Sequence, residues 1–292
     1  MSQAIVRILS GVSYNYKSLN NYFESEELER YGCRFIKRTD KLVQGWNDNL
    51  HSEWIVRNYL ACKMILASTL FCNSLEYSIE KNVMITESYL IYYTLLSACR
   101  ALVLTSPETL WNNGQIVTMS HSKIIKNTSN ILKSISSEEG ERIIKFITLA
   151  KDNRELFSYA FPSNGKNNQI SKIDLIELEE ITRCLLELAQ FNSERLEKSF
   201  FKADLKEEYK IKEEYFFKVV EYKYGGRNFV DREDYYRLGY ITRKQPFPLN
   251  LWLTFSEGMV EDFFSSWWIE ECNDESDLFN PDFNIRVLFD LP

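Results

Sequence analysis

Apolar residues recur at helical spacing through most of the chain. Trp54, Ile55, Tyr59, Cys62, Ile65, Ala67 and Leu70 form one buried stripe, with the periodicity sharpening from Trp46 onward. Thr86 reads as an N-cap with Glu87 in the first turn. The run from Tyr89 to Cys99 is apolar nearly all round, as in a central bundle helix, and ends near Ser106-Pro107. Ser120 is placed to cap a helix over Lys123–Ile135, with Ile124, Ile125, Ile131, Leu132 and Ile135 inward. Ser137 precedes Glu138, Glu139 and Glu141, acids suited to a helix N-terminus. That helix carries Ile143, Ile147 and Leu149 toward Tyr159, and Pro162-Ser-Asn-Gly165 breaks it. Asp174 or Ser171 starts a long helix through about Lys198, with Leu178, Ile181, Leu185 and Leu188 on one face.

The two ends read differently. Residues 1–45 show a weak pattern, expected to give short helices or irregular structure. Tyr215–Tyr224 leads into Gly225-Gly226, the signal for a short strand pair. Pro246-Phe-Pro248 marks a turn, Leu251–Trp268 an amphipathic helix, and Asn284–Asp290 an edge strand. The fold class expected is mostly α: a helical bundle with a smaller aromatic-rich C-terminal region holding a short β hairpin. The expected division is an N-terminal extension (1–45), the bundle (46–200) and the C-terminal region (201–292).

The 292 residues can bury a sizeable core. The hydrophobic share of 45% and charged share of 26% are those of a globular chain, and scarce glycine and proline permit long helices. A net charge of -7 argues against uniform coating by nucleic acid but leaves room for a local basic patch. Such a patch is present. Residues 218–244 carry net +3, while the chain from Glu257 onward holds ten acids and one arginine. The six cysteines are spread apart with no Cys-x-x-Cys pair, so free thiols and a reducing cytoplasm are expected. No basic-then-apolar leader opens the chain, and arginine interrupts the Tyr89–Leu104 run, so no membrane association is expected.

Candidate chemistry is sparse. There are two histidines, His51 and His121, without the neighbours a metal site needs, so no metal is expected. Neither a nucleophile elbow nor a phosphate-cradling glycine loop occurs, so no cofactor is expected. His121 beside Ser120 reads as a helix-start residue and His51 as a surface or partly buried one. Within 218–244, Lys223, Arg227, Arg232 and Arg237 interleave with tyrosines. That pattern can stack bases and hold phosphates, or be a packed aromatic layer with a solvated charged face. Trp252, Phe255, Phe263, Phe264, Trp267 and Trp268 form a ring-rich stripe suited to core or to a protein interface.

The most informative stretch is Lys151-Asp-Asn-Arg-Glu-Leu-Phe-Ser-Tyr159. The helix order, the aromatic-rich helix reaching Arg100, and Asn153-Arg154 followed by Tyr159 together resemble the HEPN group of helical bundles over about residues 50–200. The resemblance implies a partner-binding protein, or metal-independent RNA cleavage by a dimer. In such an enzyme an arginine and a histidine four to six residues apart serve the scissile phosphate: the arginine stabilises charge and the histidine moves a proton. Arg154 fits the arginine position. Tyr159 stands where histidine belongs, and a tyrosine is a poor base at neutral pH. The expectation is therefore a non-catalytic HEPN-like protein acting through a protein partner or homo-oligomer, with an antiviral-defence or toxin–antitoxin setting implied by the resemblance alone. The alternatives are a variant RNA endonuclease using Arg154, Tyr159 and His121, and an RNA- or DNA-binding subunit using Lys223, Arg227, Arg232 and Arg237. In a purely structural reading, Arg154 pairs with an acid on a neighbouring helix and Tyr159 packs its ring.

Overall fold

A computed structural model describes residues 14–165, 172–203, 209–244, 247–268, 279–281 and 285–291. Among these residues eleven α-helices and one two-stranded antiparallel hairpin form a mostly α bundle. In chain order the helices are α1 (Lys17–Tyr22), α2 (Ser25–Gln44), α3 (Asp48–Glu80), α4 (Glu87–Leu104), α5 (His121–Ile135), α6 (Ser137–Glu155) and α7 (Leu175–Lys202). They continue with α8 (Glu213–Val220), β1 (Glu221–Tyr224), β2 (Arg227–Val230), α9 (Arg232–Lys244), α10 (Leu251–Thr254) and α11 (Glu257–Ser265).

The centre is the pair α3 and α4, with α4 also touching α5, α6 and α7. Both helices are buried on several faces, which explains their near-continuous apolar sequence. By length and hydropathy α3 could cross a membrane, yet most of that window is buried inside the protein, as in a core helix. Asn47 caps α3 by accepting from the amides of Asn49 and Leu50, and Asp174 caps α7 through Ile176 and Glu177, as its sequence position suggests. Ser171 lies outside the described residues. Thr86 and Ser120 stand at the N-cap positions of α4 and α5, but neither side chain caps. Thr86 Oγ1 instead donates to the carbonyl of Val83 at 2.9 Å.

Over the described residues 14–45 the chain is more regular than its pattern suggests. α2 is a regular helix of 20 residues that opens with a Glu24–Glu27 capping box and lies against α7 and α5. α1 packs on α7, where the Glu187 carboxylate accepts from the amides of Ser18 (3.1 Å) and Leu19 (2.6 Å). One apolar cluster runs from Tyr14 through the bundle to Phe289.

The hairpin forms where Gly225-Gly226 predicts it. β1 and β2 pair from Glu221↔Val230 to Tyr224↔Arg227. Both glycines have positive φ (56° and 76°), as a two-residue I′ turn requires. Leu251–Trp268 is two helices rather than one: Asn250 caps α10 at its start, and the chain extends at Phe255 and Ser256 before α11. In that stripe Phe255 and Phe264 are core, while Trp267 is exposed. Residues 285–291 form no strand. The Asn73 side chain takes both backbone groups of Arg286, in the manner of a strand neighbour, at 2.8 and 3.0 Å. Asn284 and the acidic run 269–278 lie outside the described residues.

Cys62, Cys72, Cys99 and Cys184 are buried free thiols and Cys33 is an exposed one; Cys272 is outside the described residues. His51 is buried rather than at the surface, its ring against Trp46 and Tyr209.

Candidate functional site

The site is built on α4. Tyr89 and Tyr93 are four residues apart, and Arg100 follows Tyr93 by seven, so all three lie along one face. Tyr92 is buried beside them. α5 begins at His121, and its packing on α4 brings the imidazole to the tyrosines. His121 Nδ1 and the Tyr92 hydroxyl lie 3.1 Å apart, and the ring meets Tyr93 edge-on at 6.1 Å.

α6 supplies Arg154 on its last turn. Its Nη2 donates to the Tyr93 hydroxyl at 3.5 Å, and the guanidinium carbon lies 5.9 Å from the Tyr92 ring centroid. Beyond Glu155 the helix widens into a π turn, Leu156–Ala160, closed by Phe161 N donating to Leu156 O. Phe161 adopts φ 42°, which is costly for a bulky residue and common beside functional sites. The wide turn leaves Tyr159 80% exposed. Ser158 donates to the Tyr89 hydroxyl at 3.3 Å, tying the turn to the start of α4.

The electrostatics follow from this geometry. The Tyr93 hydroxyl, then that of Tyr159, raise the Arg154 pKa and favour its charge. Burial depresses Arg100, opposed by Tyr92 and Tyr93. Burial first, then Arg100 and Arg154, hold His121 below its ordinary value, which favours the neutral imidazole. Burial pushes the Tyr92 hydroxyl up to about 12, partly offset by Arg154. Among the described residues neither arginine makes an ion pair. Arg100 reaches only the carbonyls of Val117 and Met119, each at 3.4 Å. Arg154 Nε is buried with no hydrogen-bond partner. Glu155, whose charge reaches Tyr92, is paired with Lys151.

The structure thus brings His121 from a separate place in the sequence to the helix end that carries Arg154 and Tyr159. It does not give Arg154 the acidic partner of the structural reading, nor does it bury the Tyr159 ring. Tyr92, Tyr93 and Arg100 complete the cluster. In the sequence the two tyrosines belong to an apolar run and Arg100 marks its interruption, although the spacing Tyr89, Tyr93, Arg100 is itself a one-face signal.

The four cations of the basic segment are not brought together. Lys223 opposes Asn228 and Arg227 opposes Tyr224, which places these two on opposite faces of the hairpin. Arg232 is exposed at the start of α9, and Arg237 is ion-paired with Asp262. No group of three metal-ligating side chains converges among the described residues. Compared with protein-family models, with curated proteins and with solved structures, the chain gives no match.

Proposed function

We propose that this chain is a binding protein whose arginine–histidine–tyrosine cluster grips a phosphate of an RNA strand. The observation that carries the reading is Arg154: a charged guanidinium with a buried, unpartnered Nε, whose charge reaches His121 as that of Arg100 does, and without a carboxylate of its own. A buried donor left unmade costs free energy. A phosphate oxygen reaching the guanidinium would offset it with charge-assisted bonds. RNA is the strand to which the HEPN resemblance points, and a defence or toxin–antitoxin setting is where its partner would be sought.

The cluster is read as holding rather than cutting, since Tyr159 takes the place of the motif histidine. Cleavage has one feature in its favour: burial and the two arginines hold His121 below its ordinary value, which favours the neutral form a general base needs.

The test is anisotropy of a labelled RNA oligonucleotide at low salt, beside a cleavage assay in chelator. Arg154→Ala is expected to weaken binding about tenfold or more, as loss of a charge-assisted contact implies. Unchanged affinity in a folded Arg154→Ala protein would rule the phosphate site out. Cleavage that disappears in His121→Ala would decide for the enzyme.

A further inference from the structure

The hairpin has two unlike faces. Tyr222 pairs with Phe229 and Tyr224 with Arg227, so three rings and a guanidinium share one face without a carboxylate. Glu221, Lys223, Asn228 and Val230 share the other. All eight residues are exposed, Tyr224 at 79% and Phe229 at 61%. A lone two-stranded hairpin is marginal in water, yet this one stands clear of the core. It is held at its root, where Asp231 N donates to Val220 O at 2.8 Å and the Tyr222 hydroxyl donates to Asp234 at 2.9 Å. Asp234 is neutralised there by Lys63.

The same root opens on a cavity of 160 Å³, lined by Tyr222, Lys63 and Arg100 over an apolar floor. Its volume suits one flat ring. Arg100 is also the cation whose charge reaches His121. Rings therefore run from the hairpin tip to Tyr222, and the cavity leads on from there past Lys63, which is paired with Asp234, to Arg100.

We propose that this track binds single-stranded nucleic acid. Unpaired bases stack on Tyr224, Phe229 and Tyr222, and phosphates follow Arg227 and Arg100. Stacking needs open base faces, which a duplex does not offer, and backbone cations suit any sequence. The Arg154 end rests on the phosphate-binding reading above; the hairpin end stands on its own exposed rings.

The test is anisotropy with labelled oligo-uridine of about 12 nucleotides, a length typical of single-strand sites, against a duplex of equal length. Wild type is compared with Tyr224→Ala/Phe229→Ala and with Arg154→Ala, each checked by circular dichroism. Both replaced rings face water, so the double variant is expected to melt like wild type. Preference for the single strand, with binding at least about tenfold weaker in the ring variant, supports the track. Wild-type affinity in the ring variant, or equal affinity for duplex, overturns it whatever Arg154→Ala does. Loss in the ring variant but not in Arg154→Ala keeps the hairpin platform and removes the phosphate site. No binding of either oligonucleotide by wild type overturns both.

Discussion

Arg57 Nε donates to the carbonyl of Leu104 at 2.7 Å, joining the first half of α3 to the last residue of α4. The same guanidinium donates to the carbonyls of Ser106 (2.5 Å) and Thr109 (3.0 Å) and to Glu53 (2.8 Å), while its face lies 4.1 Å from the Trp54 ring centroid. Arg57 thus supplies donor-starved carbonyls at a buried helix end with fixed donors. Burial lowers its pKa, opposed by Glu53. An ammonium cannot reproduce a planar fork. Arg57→Lys is therefore expected to lose about 3 kcal/mol in urea unfolding, near the cost of breaking a buried pair. A loss below about 1 kcal/mol would contradict this role.

Stability should depend on pH through Glu197. Burial raises its carboxyl from 4.5 to about 7, against the pull of the Asn250 amide donors. The folded pKa lies above the unfolded one, so the protonated form favours folding. That contribution is full below about pH 4.5 and is lost as pH rises through 7. A shift of this size corresponds to about 3 kcal/mol. Denaturant midpoints should fall between pH 5 and pH 8 in wild type, with a flatter profile in Glu197→Gln. Parallel profiles in the two proteins would remove Glu197 as the cause.

Two glycines should respond to alanine with opposite signs. At Gly140, where α6 turns back on α5, a Cβ would lie 2.8 Å from Lys133 N and 2.9 Å from Leu132 C. Backbone atoms cannot rotate away, so Gly140→Ala is expected to cost about 1–3 kcal/mol. Within α9, a Cβ on Gly239 meets only the Arg243 guanidinium, at 3.5 Å. Gly239→Ala should stabilise by about 0.5–1 kcal/mol through helix propensity. Thermal melts of the two variants check both signs, and equal shifts would count against the packing argument.

The helices most legible in the sequence are those with wide apolar faces, such as α3, α4 and α7. α2 was not, because two of its six buried positions are Gly32 and Thr39, which leave a narrow stripe among many charges. The hairpin was legible because two adjacent glycines have few other uses. Of the site, Arg154 and Tyr159 share one helix end and could be read as a pair. His121 joins them only through the packing of α5 on α4. Arg57 shows the same limit: a buried charge on an apolar helix is explained by carbonyls about fifty residues away, which no local pattern reveals.

The Tyr14 hydroxyl accepts from the amide of Asp290, 276 residues away, and its ring meets Phe289. A ribosome would therefore release most of this chain before the first aromatic residue of the core could find its place. Contacts of such long range form late and slowly. Until then α1 and its neighbours wait with apolar surface uncovered, the period when a nascent chain depends most on chaperones.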